Sequence, residues 1–164
     1  MWSKVPSLIA AVSIPLLGGA MSGFATRSST RGKWFRNLRK PSWNPPRAVF
    51  PVVWTILYIM MGVASWLVWK DGGNRGDDCS RIRRRNALIL YAAQLAVNIA
   101  WTFVFFLGRN IRGGLYVVLT LCVALLATIA CFWTISRAAA LLLVPYAAWV
   151  AFATALNWSI VTLN

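Results

Sequence analysis

Apolar residues fill five long stretches of this chain, and each stretch has the length of a helix that crosses a membrane. They cover residues 5–26, 46–69, 86–107, 113–135 and 138–163. The hydrocarbon core of a bilayer is about 30 Å thick, which needs roughly 20 apolar residues of helix. Strands of a membrane barrel would alternate polar and apolar residues, and none of these stretches does so. The pattern predicts an all-α integral membrane protein, a five-transmembrane-helix bundle in one domain over residues 1–164.

The first stretch has the position of a secretory signal peptide, but its details favour a retained helix. Lys4 is the one basic residue before a long apolar run, and the small residues lie inside the run: Gly18, Gly19, Ala20 and Gly23. A signal peptide begins with a more basic segment and ends at small residues. We therefore expect this stretch to remain as the first span.

The connections between the stretches differ in length and charge. Residues 27–46 form a long basic and aromatic loop, residues 70–85 form a polar loop with every acidic residue, and the other two links are short. Lys and Arg favour cytoplasmic loops, but here they divide almost evenly between the two sides of the bundle. The orientation, and which membrane holds the protein (bacterial, mitochondrial outer or another organelle's), stay open.

Composition supports a membrane location and argues against nucleic acid as a partner. Soluble domains have about 45 to 50% apolar and about 25% charged residues, whereas this chain has 59% and 12%. The 17 Lys and Arg residues exceed the 3 acids and give a net charge of +14. They form short clusters between apolar runs, which is typical of membrane flanks that meet anionic lipid headgroups.

The residues that most catalytic sites require are missing from the spans. The sequence contains no histidine, and no carboxylate lies within a predicted span. The spans therefore lack the residues that catalytic triads, carboxylate pairs and proton relays require. Cys79, Cys122 and Cys131 are too far apart for a redox pair or a zinc site. We expect no metal and no required cofactor.

Polar residues recur on one side of the third stretch. Gln94, Asn98 and Trp101 follow each other at i, i+4 and i+7, which places them on one helix face. Amides are costly in hydrocarbon unless they find partners, so this face should look into the bundle. There it either contacts a ligand or ties helices together.

Small residues mark another face of the same helix. Ala92, Ala96 and Ala100 recur at every fourth position, and small residues let helix backbones approach closely. This face predicts a homodimer seam, with Gly19 and Gly23 of the first span as a competing seam. Packing within one subunit is the alternative for the alanines.

Aromatic residues line corresponding faces of the second and fifth stretches. Trp54, Tyr58 and Met61 share one face, and Trp149, Ala153 and Leu156 share another with Asn157 beside them. Indole rings with a few amides suit a flat, largely apolar ligand, because the rings supply area and the amides fix orientation.

Five segments in this order resemble the TspO/MBR family, also called the translocator protein family or peripheral-type benzodiazepine receptor. The segments are KPSWNPP (40–46), VWTILY (53–58), GVASWLVW (62–69), AQLAVNIAWTFVFF (93–106) and PYAAWVAFATALN (145–157). The resemblance implies an often dimeric five-helix bundle that binds tetrapyrroles such as porphyrin or haem, sterols and synthetic aromatic drugs beneath the first loop.

Residue by residue, the resemblance also implies a pocket and a lid. The pocket would consist of Trp54, Tyr58, Asn98, Trp149, Ala153 and Leu156, and the lid of Trp34, Pro41, Trp43, Pro45 and Pro46. Bacterial members are reported to promote light- or oxygen-dependent porphyrin breakdown that relies on pocket tryptophans. Trp54 and Trp149 match those positions, so the resemblance makes them candidate catalytic residues. The family's sterol pattern at the end of the last span is incomplete here, since no base follows Trp149. A tetrapyrrole is therefore the better expectation, bound for scavenging or stress response; transport across the membrane and weak porphyrin degradation are the alternatives.

Prolines predict the shape of the lid. Pro41, Pro45 and Pro46 restrict the backbone and disfavour helix before each of them. Residues 40–46 should therefore form a stiff extended segment that holds Trp43 against the bundle. Basic residues on or beside this loop would favour ligand carboxylates or lipid headgroups.

Overall fold

The structure is a computed structural model that describes residues 4–71 and 78–164. In those residues it has α1 (Lys4–Ala25), α2 (Arg27–Arg31), α3 (Lys33–Asn37), α4 (Val49–Asp71), α5 (Asp78–Thr102), α6 (Ile111–Trp133) and α7 (Arg137–Leu163). A π-helical turn, Phe103–Leu107, continues α5. Five of these helices are long and apolar enough to cross a membrane. The predicted five-helix bundle is confirmed, while part of the predicted polar loop 70–85, with Arg75 and Asp77, lies outside the described residues.

Three predicted boundaries shift for local physical reasons. The second span begins at Val49 and not at residue 46, because the prolines before it hold the chain out of helix. The third begins earlier, at Asp78, since its charged first turns extend beyond the apolar run. The fourth begins at Ile111, where the side chain of Asn110 accepts a hydrogen bond of 2.8 Å from the Gly113 amide and caps the helix.

The long spans run antiparallel to their chain neighbours, and α1 joins the bundle through α4. At Gly62 an added Cβ would lie 2.4 Å from the Cα of Val12, so only glycine permits this approach of the two backbones. Large side chains fill the core between the other spans, among them Met61, Phe132 and Tyr146. The outward sides of α1 and α6 are apolar and exposed, as lipid-facing surfaces must be.

The first loop differs from the prediction in two ways. It contains α2 and α3, which the sequence pattern did not predict, separated by the extended backbone of Gly32. Residues 40–46 are not uniformly extended, because the Asn44 amide donates a 3.0 Å hydrogen bond to the Pro41 carbonyl and closes a turn. The prediction of a non-helical segment is right, but the straight conformation is wrong.

Candidate functional site

A cavity of about 930 Å³ lies beneath the first loop, between α1, α4, α5 with its π-helical turn, and α7. Aromatic side chains dominate its wall. Those that line it are Phe35, Phe50, Trp54, Tyr58, Trp101, Phe105, Phe106 and Trp149. Helix spacing explains the arrangement, since residues at i and i+4 or i+7 project from one side of a helix.

Five of the six predicted pocket residues line this cavity. They are Trp54, Tyr58, Trp149, Ala153 and Leu156. The rings of Trp54 and Tyr58 stack with their centroids 5.4 Å apart, and Phe50 meets Trp149 edge-on at 5.8 Å. These contacts hold the rings in fixed orientations before any ligand binds.

Asn98, the sixth predicted pocket residue, is absent from the lining and lies behind Tyr58. The Tyr58 hydroxyl donates to Asn98 Oδ1 at 2.9 Å, and Asn98 Nδ2 donates to the Tyr146 hydroxyl at 2.9 Å. Tyr146 in turn donates to Gln94 Oε1 at 3.2 Å. Both amide residues are buried, so this face of α5 looks into the bundle, as its spacing predicts. Asn98 therefore holds the Tyr58 hydroxyl in place and does not line the cavity, although Asn98 was predicted to contact the ligand.

The five predicted lid residues also stand away from the cavity wall. Trp34, Pro41, Trp43, Pro45 and Pro46 are not among its lining residues. The ring of Trp34 packs on Phe105 with centroids 6.1 Å apart, and that of Trp43 meets Phe152 at 5.6 Å. The two tryptophans fasten the loop to the bundle, as predicted for Trp43, but none of the five residues forms the inner surface of the lid.

Other residues of the same loop form that inner surface, and the sequence pattern did not identify them. They are Arg27, Thr30, Arg31, Phe35, Lys40, Asn44 and Arg47. Arg27 and Arg31 share a face because α2 places them at i and i+4, and this helix was not predicted. Basic i, i+4 spacing just after an apolar span was the available signal.

The π-helical turn brings the loop and the bundle together. It carries Phe105 and Phe106, whose rings contact Trp34 and Phe35 of α3 at 6.1 and 5.3 Å. A π-helical turn adds a residue to the helix and rotates the residues after it, and such turns are frequent at functional sites. Without it, the end of α5 would present different side chains to the cavity.

The two predicted dimer seams lie in different surroundings. Ala92, Ala96 and Ala100 are exposed on the outside of α5. Gly19, by contrast, faces inward, where an added Cβ would lie 2.1 Å from the Tyr58 ring. Gly19 is thus used for packing α1 against α4, whereas Gly23 is exposed with open space beside it, so the glycine seam stays a prediction.

Metal ligands are not gathered anywhere in the described parts of the chain. No group of three or more Cys, Asp or Glu side chains lies close enough to hold an ion there. Cys79 and Cys131 are exposed, and Cys122 Sγ lies 3.4 Å from Thr154 Oγ1. The cavity offers a ligand aromatic area, cations at its mouth and a few polar side chains, among them the buried Asn157 amide, which has no hydrogen-bond partner among the described residues.

Comparison with known proteins agrees with this architecture. The TspO/MBR family model matches residues 11–163. The chain is 36% identical over 163 residues to the tryptophan-rich sensory protein of Cereibacter sphaeroides, covering 99% of this chain and 92% of that protein. It is 41% identical over 128 residues to the translocator protein of Homo sapiens, covering 78% and 73%, and 40% identical over 131 residues to the tryptophan-rich protein TspO of Chlorobaculum tepidum, covering 80% and 79%.

The family model and the match to the Cereibacter sphaeroides protein extend over nearly the whole chain, and the family model includes α4, α5, α7 and most of α1, the long helices that line the cavity. Family membership supports a binding or transport role within a membrane. The chain belongs to the TspO/MBR family and is a multi-pass integral membrane protein.

Proposed function

We propose that this protein binds a tetrapyrrole, such as a porphyrin, in the cavity beneath its first loop. The observation that carries the proposal is the aromatic wall of that cavity. Small-molecule pockets occupy roughly 300 to 1,000 Å³, and this cavity, at about 930 Å³, has room for a large ring system. Binding within the membrane needs only this pocket, whereas transport needs a second opening.

The arrangement of the rings favours a flat ligand. Trp54 is stacked on Tyr58, and Trp149 is held between Phe50 and Phe152 at 5.8 and 5.3 Å. Aromatic faces gain about 0.5 to 1.5 kcal/mol per ring pair beyond the area that they bury. The Tyr58 hydroxyl is occupied by Asn98, so its ring is the part of this residue that can contact the ligand.

The chain offers haem iron no histidine ligand, and haem proteins mostly hold iron through histidine, cysteine, methionine or tyrosine. Cys122 and the cavity's Tyr58 are each already in contact with a polar partner. Contact with the ring system therefore dominates, and a metal-free porphyrin should bind about as tightly as haem.

Titration of the purified protein with protoporphyrin tests the proposal, with tryptophan fluorescence and porphyrin absorbance as readouts. We expect saturable quenching, and about a tenfold loss of affinity in Trp149→Ala, since tenfold corresponds to about 1.4 kcal/mol and one ring contact supplies that much. The matched control is Trp158→Ala, because Trp158 lies on the same helix and is exposed toward lipid. Absence of saturable quenching in the wild type would refute the proposal.

A further inference from the structure

The mouth of the cavity carries positive charge that no ion pair balances in residues 4–71 and 78–164. Of the basic residues on or beside the first loop, four line the cavity: Arg27, Arg31, Lys40 and Arg47. The three guanidinium groups make no hydrogen bond or ion pair with any part of the chain that the structure describes. Arg47 contacts the Phe35 ring at 5.8 Å. Unpaired arginine side chains at the rim of an aromatic pocket can bind an external anion.

The two acidic side chains that the structure describes lie too far from these cations to neutralise them. Asp71 ends α4, whose first residue is Val49, and a helix of that length spans roughly 33 Å at 1.5 Å per residue. Asp78, the other described acid, starts α5 and pairs with Arg81 at 2.6 Å. Charges separated by more than about 8 to 10 Å in water are largely screened at physiological salt. The mouth therefore keeps its positive potential.

Lys40 differs from the three arginines, because it is partly buried and lies near Arg47. Burial and the nearby Arg47 charge lower the pKa of the Lys40 ammonium group below its usual value. Its Nζ donates to the carbonyl oxygens of Phe35 and Leu38, so its donors are partly used. Arg27, Arg31 and Arg47 have no such commitment and are the better ligands for an anion. Arginine also binds carboxylates through two parallel hydrogen bonds.

The residues that line the cavity farthest from the loop along α1 and α4 are apolar or aromatic. They are Leu16, Gly19 and Ala20 of α1 with Trp54 and Tyr58 of α4, and Gly19 packs on the Tyr58 ring. An ionised group placed at this end would lose its hydration and find no charge to pair with, which is strongly unfavourable. The cavity thus accepts negative charge at one end alone.

We propose that the mouth is an anion site that binds two carboxylates carried on the same edge of a flat ligand. The inference rests on the proposed function and adds to it the ligand class and the residues that select it. The guanidinium groups of Arg27, Arg31 and Arg47 bind the carboxylates, while the apolar edge of the ring enters between α1 and α4. Ligands that are neutral, or charged on opposite edges, are disfavoured.

Three ligands of nearly equal size test this assignment. They are protoporphyrin IX with two carboxylates on one edge, its dimethyl ester, and the isomer with its carboxylates on opposite edges. In nanodiscs of neutral phosphatidylcholine we expect the one-edge diacid to bind at least about tenfold more tightly than the other two, as charge-assisted hydrogen bonds predict. Equal affinities of diacid and ester would overturn the anion site while leaving tetrapyrrole binding intact. Failure of all three ligands to bind would instead refute the proposed function.

Matched variants identify the residues. Arg31→Gln should lower the affinity for the diacid by about tenfold and leave the affinity for the ester unchanged. Unchanged binding of the ester would also show that the variant is folded. Arg36→Gln is the control, because Arg36 is an exposed base of the same loop that does not line the cavity. An equal loss in both variants would indicate a general effect of loop charge and overturn the site.

Anionic lipid headgroups offer the same chemistry as ligand carboxylates, and a second set of nanodiscs separates the two sources. In discs that contain phosphatidylglycerol, we expect the diacid to keep its advantage over the ester. If the affinity for the diacid in these discs is no higher than that for the ester, headgroups occupy the mouth. The proposal that the mouth binds the carboxylates of the ligand would then be wrong.

Discussion

Trp54 and Trp149 are candidates both for binding a porphyrin and for reacting with it, because both indole rings line the cavity. An illuminated porphyrin generates reactive oxygen, and an indole beside it is a target for oxidation. Aromatic pocket walls usually serve binding alone, however, and Phe can replace the stacking area of Trp. We therefore regard the two tryptophans first as binding residues.

The prediction is that Trp54→Phe combined with Trp149→Phe leaves the rate of light-dependent porphyrin loss unchanged per bound porphyrin. Porphyrin absorbance during illumination measures the rate, and titration in the dark measures the amount bound. Trp158→Phe controls for the removal of an indole outside the cavity. A rate that falls only in the double variant would assign the protein a porphyrin-degrading activity that depends on these tryptophans.

Sequence periodicity locates side chains on a helix face, but it does not show what stands in front of them. It placed Asn98 correctly on the inner face of α5, yet the Tyr58 hydroxyl reaches Asn98 from α4 and takes its acceptor. This contact depends on how two distant segments pack, which spacing within either segment does not contain. Tyr58, Trp54 and Trp149 were found because each lies on the inner side of its own helix, where it lines the cavity.

Helices of twenty or more apolar residues were predictable, whereas short helices in the loop were not. The five spans follow from membrane thickness. The second and fourth begin within three residues of the predicted positions, for proline and capping reasons, whereas α5 begins eight residues early because its first turns are charged. In α2 and α3, each of five residues, local propensity is too weak to specify a helix. Their formation depends on packing against Phe105 and Phe106 of the π-helical turn, a long-range contact.

Asn164, directly after the last helix, binds the backbone of the first loop through its side-chain amide. Asn164 Oδ1 accepts from the Arg39 amide at 3.1 Å, and its Nδ2 donates to the Arg39 carbonyl at 3.0 Å and to the Ile160 carbonyl at 2.9 Å. This amide thus pairs with the loop backbone as a neighbouring strand would. It fixes the loop directly after α3 and just before Lys40.

Asn164→Ala should loosen the first loop while the bundle stays folded. Each lost hydrogen bond contributes about 0.5 to 1.5 kcal/mol, so we expect at least about tenfold faster hydrogen exchange at the Arg39 amide and faster porphyrin release. Exchange mass spectrometry on a peptide that covers residues 38–41 measures the first effect, and stopped-flow fluorescence the second. Thr162→Ala, which removes a local hydrogen bond to Ser159, is the control; unchanged exchange at Arg39 would show that the loop is held elsewhere.

The outer surface of the whole bundle is apolar, but its side chains differ in size from helix to helix. On α1 and α6 it carries bulky exposed residues, such as Phe24 at 78% exposure and Tyr116 and Val123 at 70% each. On α5 it carries Ala92, Ala96 and Ala100. Lipid chains adapt to either surface, whereas close contact between two helix backbones requires small residues. The alanine face of α5 is therefore the surface best suited to a second subunit.

We predict that Ala96→Leu converts a dimer into monomers and leaves porphyrin binding unchanged. A leucine side chain at the centre of the face would separate the backbones and remove the close contacts that drive association in lipid, while the cavity lies on the opposite side of α5, toward Trp101. Light scattering in detergent and crosslinking in membranes measure the oligomeric state. Val123→Leu adds bulk at an exposed position of α6 and should not change it. An Ala96→Leu protein that still dimerised would refute the role of the alanine face and point to the competing glycine seam of α1, where Gly23 is exposed.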